Sequence, residues 1–482
     1  MLLYNLILLP ALIGILCAVI PGWNRKNTLM LMLPQGLLAV GAVALAVAGT
    51  SMATPVFSLT DTLTFSLAMD GLGRFFTVLV AACWLFSIPY ASVYMEHEAH
   101  RGRFYAFFFL TEAAVIGTSL AADFTTLYLF FEMATLLSFP LVLHDQSEAA
   151  LLGARKYFFY SVGGAFVALF GVVALYREYG TLVFSETGTS AALTPLAMLG
   201  VFLMIIGFGA KAGLYPLHNW LPSAHPAAPS PASALLSGLI AKCGVIAIIR
   251  LLFFLVGADA LRGTWVQYTA IALALVTVAM GSFMGCLAHN LKKRLAYSSI
   301  SQISYVLLGI FILTPHGATG ALLQFLFHAL SKIGIFQCAG AIICLTGCTQ
   351  VEELRGMGRR LPVTMLCFTF FSMSLVGIPP FGGFWSKWHL CLAALEGLPT
   401  VLRYLVPVVL ILSALLTAGY LFAPIVSAFF PGEDCPAELT VPVKEPAALM
   451  LSPVVLSLAV SLPGLFPAAT VSVMQRIAET LL

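Results

Sequence analysis

Five ionisable side chains lie where water is scarce and mark the chemistry of this sequence. Glu132, Lys211, Lys242, His328 and Lys387 all fall inside long apolar runs. Glu112 and Lys332 are placed similarly. A charged side chain at the centre of a membrane helix costs about 2.5–3.5 kcal/mol to insert, so a set of seven demands a common cause. Such residues mark ion pathways and proton relays. Glu132, in TLYLFFEMATLLSFPL, needs a cationic partner or a proton. Lys211 is the expected partner. A buried amine and carboxylate both stay charged while paired; apart, desolvation favours the neutral form of each. A pair whose separation changes is therefore a proton switch. His328 and Lys332 are four apart, hence on one helical face. Histidine titrates near neutral pH and suits a relay. The expected order across the midplane is Glu132, Lys211, Lys242, His328, Lys387.

The elements that must position these groups are membrane helices. Of 482 residues, 60% are hydrophobic and 9% are charged, and mean hydropathy is +1.00. Soluble chains are about a quarter charged. Apolar runs near twenty residues predict an all-α polytopic membrane protein of about fourteen transmembrane helices. Their expected ranges are 2–20, 28–49, 70–95, 104–122, 123–143, 150–176, 194–216, 230–256, 265–288, 295–313, 318–346, 362–396, 401–430 and 448–470. The alternating stretch 55–68 reads as a small hairpin. The N-terminus lacks a basic leader and reads as the first span.

Two spans are interrupted. GFGAKAGLYPLHNWLPSAHPAAPSPASALLSGLIAK, residues 207–242, carries Pro216, Pro222, Pro226, Pro229 and Pro231. Proline removes a helical hydrogen bond, so the seventh helix breaks near Pro216. Broken backbone at membrane depth is tolerated only against protein or a hydrated cavity. His218 and His225 lie in this break as further candidates, or as caps of the broken ends. GIPPFGGFWSK, residues 377–387, interrupts the twelfth helix. Breaks in helices 7 and 12 fit two inverted five-helix repeats, the arrangement that places transport sites at discontinuous helices. The expected division is 1–103 for helices 1–3 with the hairpin, 104–258 for the first repeat, 259–430 for the second and 431–482 for helix 14.

Thirteen Lys and Arg residues, Lys292 and Arg294 among them, fall in loops after odd-numbered helices and three in loops after even-numbered ones. Positive loops stay cytoplasmic, so both termini are expected on the opposite side. Asp70 and Arg74, one turn apart, read as a local ion pair. His144, His289 and His389 sit near span ends and read as solvated. Ten cysteines include no CxxC pair, and Cys344 and Cys348 are a weak metal signal. No catalytic residue, metal site, flavin, haem, quinone or iron–sulfur site is expected, and a net charge of +3 gives no reason for a nucleic-acid partner.

Six pieces carry a resemblance: FFEMATLLSFPLVL, ARKYFFYSVGGAF, the proline-rich 207–242 segment, NLKKRLAYSSISQISY, FHALSKIGIF and GIPPFGGFWSK. In these the chain resembles the proton-conducting antiporter-like membrane subunits of the complex I, Mrp antiporter and membrane-bound hydrogenase superfamily. The resemblance implies roles by position. Glu132 matches the fifth-helix glutamate, Lys211 its seventh-helix lysine partner, Lys242 the eighth-helix connecting lysine, His328 the eleventh-helix histidine and Lys387 the terminal residue of the twelfth. It implies homologous membrane subunits as partners, with peripheral redox subunits in some complexes, and a location in a prokaryotic cytoplasmic membrane. Protons would pass from the cytoplasmic side through Lys211 or Lys242 and His328 to Lys387, and sodium exchange is a variant within the group. Lysine at 387, and the chain's ending soon after helix 14, disfavour the largest complex I subunit. The rival readings are a stand-alone secondary transporter, a non-conducting structural subunit and a bis-His cytochrome.

Overall fold

The computed structural model describes every residue except 1, 50–52, 59, 61–63, 186, 187, 189–192, 434 and 437–440. Apolar runs become helices whose ends are set by local chemistry. The first four are α1 (Leu2–Val19), α2 (Arg25–Met30), α3 (Met32–Ala48) and α4 (Gly71–Tyr94). Between α3 and α4, β1 (Thr54–Ser58) pairs antiparallel with β2 (Thr64–Leu67), as the alternation in 55–68 predicts. Phe57 stacks on Phe65 at 4.3 Å. The hairpin docks on the junction of α5 (Arg101–Leu120) and α6 (Phe124–Val142), where the Ser66 hydroxyl donates to Asp123 at 2.6 Å. The same carboxylate caps α6 by accepting from the Thr126 amide at 2.7 Å. Such a cap satisfies an amide that the helix cannot.

The proline-rich region runs from α7 (Glu148–Tyr179) and α8 (Pro195–Ala212) through α9 (Leu221–Ala227) and α10 (Ser230–Gly238) to α11 (Cys243–Ile249). Helix α8 stops at Gly213, whose φ of +85° only glycine adopts without strain. Residues 214–220 are not helical, so the break lies at the predicted place. Another interruption was not predicted. The run 230–256 breaks at Leu239, continues as a 3₁₀ turn over Ile240–Lys242, and ends in a π-helix over Arg250–Val256.

Beyond α12 (Ala258–Leu261) come α13 (Trp265–Leu287), α14 (Leu291–Phe311) and α15 (Pro315–Thr346), a 32-residue helix. Then follow α16 (Met357–Arg360), α17 (Pro362–Val376) and α18 (Gly382–Gly397). The second predicted break separates α17 from α18 at Gly377, where φ is +88°. The last helices are α19 (Thr400–Phe429), α20 (Ala447–Leu465) and α21 (Pro467–Glu479). Among the described residues, ten helices are long and apolar enough to cross a membrane, and Leu3–Val19 and Pro362–Val376 are shorter apolar helices. The run 230–256 is wholly buried, whereas the α2–α3 segment and α19 leave most of their surface open.

Two sequence expectations are corrected here. Asp70 does not pair with Arg74. It caps α4 through the Gly73 amide at 2.8 Å and binds the guanidinium of Arg250, 180 residues away. Lys292 and Arg294, placed in a charged loop by the sequence, lie in the first turn of α14 at 6% and 8% exposure. They stop being loop residues because Asn290 caps α14 through the Lys293 amide and starts the helix there.

Candidate functional site

Lys211 is the next-to-last residue of α8 and is wholly buried. Its ammonium donates to the Phe131 carbonyl at 3.1 Å and to the Thr135 hydroxyl at 2.6 Å, both on α6. It also lies 4.4 Å from the centroid of the Phe131 ring. These contacts bring it to the helical turn that carries Glu132. The expected ion pair is nonetheless absent: no salt bridge joins the two, and Glu132 Oε1 is enclosed without a hydrogen-bond partner. Residues 131 and 135 share a helical face and Glu132 projects about 100° away from residue 131. That angle separates the carboxylate from an amine seated over Phe131. Glu132 is half-buried, with exposed Met133 beside it.

Lys242 is also wholly buried, in the 3₁₀ turn. The kink at Leu239 frees carbonyls that a continuous helix would use, and the ammonium takes two of them, Gly238 O at 2.5 Å and Ser237 O at 3.3 Å. The same ammonium stands 5.5 Å from the Phe325 ring of α15. Helix α11 presses on α8 through Gly244, where a Cβ would meet Phe208 O at 2.4 Å. Lys242 thus stands between the α6–α8 pair and α15.

Along α15, His316, Gly320, Gln324, His328 and Lys332 recur every four residues. Neighbours in this row lie one turn apart, and the row turns by about 40° per step, so it winds round α15 from α18 toward α14. His328 is 1% exposed and both its ring nitrogens lack partners. Lys332 is wholly buried and donates to Leu295 O at 3.0 Å on α14. Gln324 donates to Gln302 of α14 at 2.7 Å and accepts from the Ser386 hydroxyl of α18 at 2.5 Å. Lys387 follows in α18. Its ammonium caps the broken end of α17 by donating to Leu375 O and Val376 O, at 2.5 and 2.6 Å, and stands 5.4 Å from the Tyr305 ring.

The secondary candidates divide. Glu112 is wholly buried and accepts a short hydrogen bond from Gln35 of α3, away from the lysines. His218 is half-buried and stacks on Tyr215. His225 is wholly buried, has no partner on either ring nitrogen, and stacks on Phe336 of α15 at 4.8 Å.

Sequence reasoning missed the group below His225. Lys292 donates to Ala228 O at 3.0 Å, the end of α9 that carries His225. Toward the surface, burial and the Asp145 carboxylate push the Glu98 carboxyl above its ordinary value, and Lys292 works against them. Burial and Arg103 pull the His144 imidazole below its ordinary value. His144 is 5% exposed and His389 7%, so neither is solvated as expected. His289 remains exposed, paired with Glu352. The signal for Lys292 was present in the LKKR run, but nothing in the sequence distinguishes the lysine that turns inward.

The fold and these residues define a polytopic helical membrane protein with several ionisable groups buried in its interior, some of them beside breaks in its helices. The chain belongs to the family described as NADH:quinone oxidoreductase/Mrp antiporter, TM, whose model matches residues 121–417. It is 32% identical to NADH-quinone oxidoreductase subunit N of Desulforudis audaxviator (strain MP104C), over 89% of this chain and 88% of that one. It is 28% identical to a Na(+)/H(+) antiporter subunit of Bacillus subtilis (strain 168), over 89% and 88%. Similar folds occur in an archaeal membrane-bound sulfane sulfur reductase (TM-score 0.89, 23% identity, 99% of this chain and 97% of that one) and in respiratory complex I of Thermus thermophilus (TM-score 0.84, 24% identity, 100% of both).

Proposed function

We propose that this chain is a proton-translocating, antiporter-like subunit of a larger membrane complex, in which partner subunits supply redox energy or cation exchange. One observation carries the proposal. Lys211, Lys242, His328 and Lys332 are buried to 1% exposure or less, and among the described residues none has a carboxylate partner within salt-bridge distance. A buried charge without a counter-ion is strongly destabilising. Such groups therefore exchange protons readily as local charge changes. Lysines held only by carbonyls and hydroxyls can release a proton without breaking an ion pair.

Protons enter from the cytoplasmic side at Lys211 or Lys242, pass His328, reach Lys387 and leave outward. The unpartnered Glu132 carboxylate biases the loading of Lys211 by approaching it or withdrawing. Fourteen helices, inverted repeats over 104–258 and 259–430, and both termini on the non-cytoplasmic side of a prokaryotic cytoplasmic membrane complete the reading. Equivalent αL glycines at the ends of α8 and α17 support the repeat. Homologous subunits are the expected membrane partners, because relatives include subunits of a quinone oxidoreductase and of a Na(+)/H(+) antiporter. No redox cofactor is assigned to this chain. Replacing Lys211 with Met should abolish coupled pumping in reconstituted vesicles while the complex still assembles. Undiminished pumping would remove Lys211 from the mechanism.

A further inference from the structure

Lys387 lies near the end of the assigned path, and a proton there still has to reach the outer surface. The seam between α15 and α18 offers a route. His389 of α18 is 7% exposed, and its Nδ1 is 3.2 Å from Nδ1 of His316, in the first turn of α15. The two rings stack with centroids 5.4 Å apart. On the far side, His316 Nε2 stands 3.7 Å from the Glu396 carboxylate. Exposure rises along this line, from buried His389 to side-chain values of 37% for His316 and 58% for Glu396. The cluster therefore grades from interior to surface within three side chains.

Its inner end meets the central network. Ser386 precedes His389 by one helical turn on the same face of α18, and Gln324 precedes His328 by one turn on α15. Ser386 and Gln324 are joined at 2.5 Å. Each remaining step is one turn, about 5.4 Å along the helix axis. A single water can span polar groups at such a separation. The helices come this close because Gly320 faces α18, where a Cβ would lie 3.0 Å from the Leu390 amide. Another charged group near His316 is Arg262, whose guanidinium bonds Leu313 O at 2.8 Å and pairs with Asp259.

We propose that His389, His316 and Glu396 form the outward proton exit of this chain, joined to the His328–Lys387 part of the path through Gln324 and through Ser386, the neighbour of Lys387 in α18. This rests on the proton-translocating reading above. Two neutral imidazoles meeting through their Nδ1 atoms share one proton, one donating and the other accepting. In the resting pair His389 carries hydrogen on Nδ1 and His316 on Nε2. A proton arriving at Nε2 of His389 makes an imidazolium. Its Nδ1 proton crosses to Nδ1 of His316, and the Nε2 proton of His316 leaves to the Glu396 carboxylate and then to water. One proton enters and one leaves; each ring then regains its starting tautomer by giving the hydrogen on one nitrogen to water and taking one from water on the other. Among the described residues no group of three His, Cys, Asp or Glu has a metal-binding arrangement, so the cluster is not read as a metal site.

The test uses the whole complex in proteoliposomes, with proton flux read by a pH-sensitive dye while the partner reaction runs. His389→Ala and His316→Ala should each slow flux by roughly 10²-fold, the lower end of what a positioned proton-transfer group contributes. Imidazole on the non-cytoplasmic side should restore it, which a merely structural defect would not allow. If His389→Ala does not assemble, His316→Gln at the half-exposed ring carries the same test. Unchanged flux in the assembled variants, or a loss that imidazole does not repair, overturns the exit. Lys211→Met in parallel separates the two claims: if it stops flux while the histidine variants do not, only the exit falls, whereas full flux in Lys211→Met sinks the proton reading itself.

Discussion

At the scale of the residue, the interior lysines share one solution to burial. Each ammonium takes backbone carbonyls or hydroxyls instead of a carboxylate: Phe131 O and Thr135 for Lys211, the Gly238 kink for Lys242, Leu295 O for Lys332, and the α17 end for Lys387. Carbonyls solvate the charge without neutralising it, which leaves each lysine responsive to its neighbours. Outside the helical spans, Glu98 gives a stability prediction. Burial and Asp145 raise its proton affinity above the ordinary carboxylate value of 4.5. The folded chain then binds this proton more tightly than the unfolded chain. The stabilisation is full below 4.5 and is lost as pH rises through the raised value. Glu98→Gln should remove that loss. Its melting temperature, measured in detergent, should match or trail the parent's in acid and overtake it as pH climbs; parallel curves would refute the assignment. The effect should be small, because Glu98 is half-exposed.

At the scale of the element, small residues decide how closely helices approach. Glycine at Gly164 on α7 and Gly207 on α8 lets the backbones touch: a Cβ on Gly207 would fall 2.3 Å from Gly164 O and 2.6 Å from the Ala168 amide. Close backbone approach of this kind is how membrane helices associate without a hydrophobic drive. Gly207→Val should force α7 and α8 apart at a cost of about 1–3 kcal/mol or more. Since α8 carries Lys211, pumping should fall with it. Gly163→Ala, one residue from Gly164 but facing open space, is the control and should leave thermal unfolding unchanged. Equal behaviour of the two variants would contradict this packing.

At the scale of the whole molecule, buried lysines and histidines lie on α8, α9, the 3₁₀ turn, α14, α15 and α18. The unbroken α15 reaches from His316 to Lys332, about 24 Å at 1.5 Å per residue, most of a bilayer core. The orientation proposed from the basic loops has a direct test. Alkaline phosphatase fused after Leu482 should be active in cells, and a fluorescent protein fused there should stay dark. The reverse pattern would invert the direction assigned to every step of the path. Inward-facing Lys292 and Arg294 weaken the charge count without changing its sign, because eleven of the thirteen remain against three.

Sequence alone determined the helical class, the hairpin, both proline breaks and the identity of the interior ionisable groups. Each is written locally: twenty apolar residues need a bilayer, proline cannot donate, and a lysine among leucines is costly wherever it lands. What it left open depends on which faces meet. The absent Glu132–Lys211 contact, the kink that seats Lys242, the partnering of Asp70 with Arg250, the inward turn of Lys292 and the stacking of His316 on His389 all join residues far apart in the chain. No periodicity encodes those contacts. They are fixed by helix packing, in which glycines such as Gly244 and Gly320 set the distance between backbones and so decide which side chains reach one another.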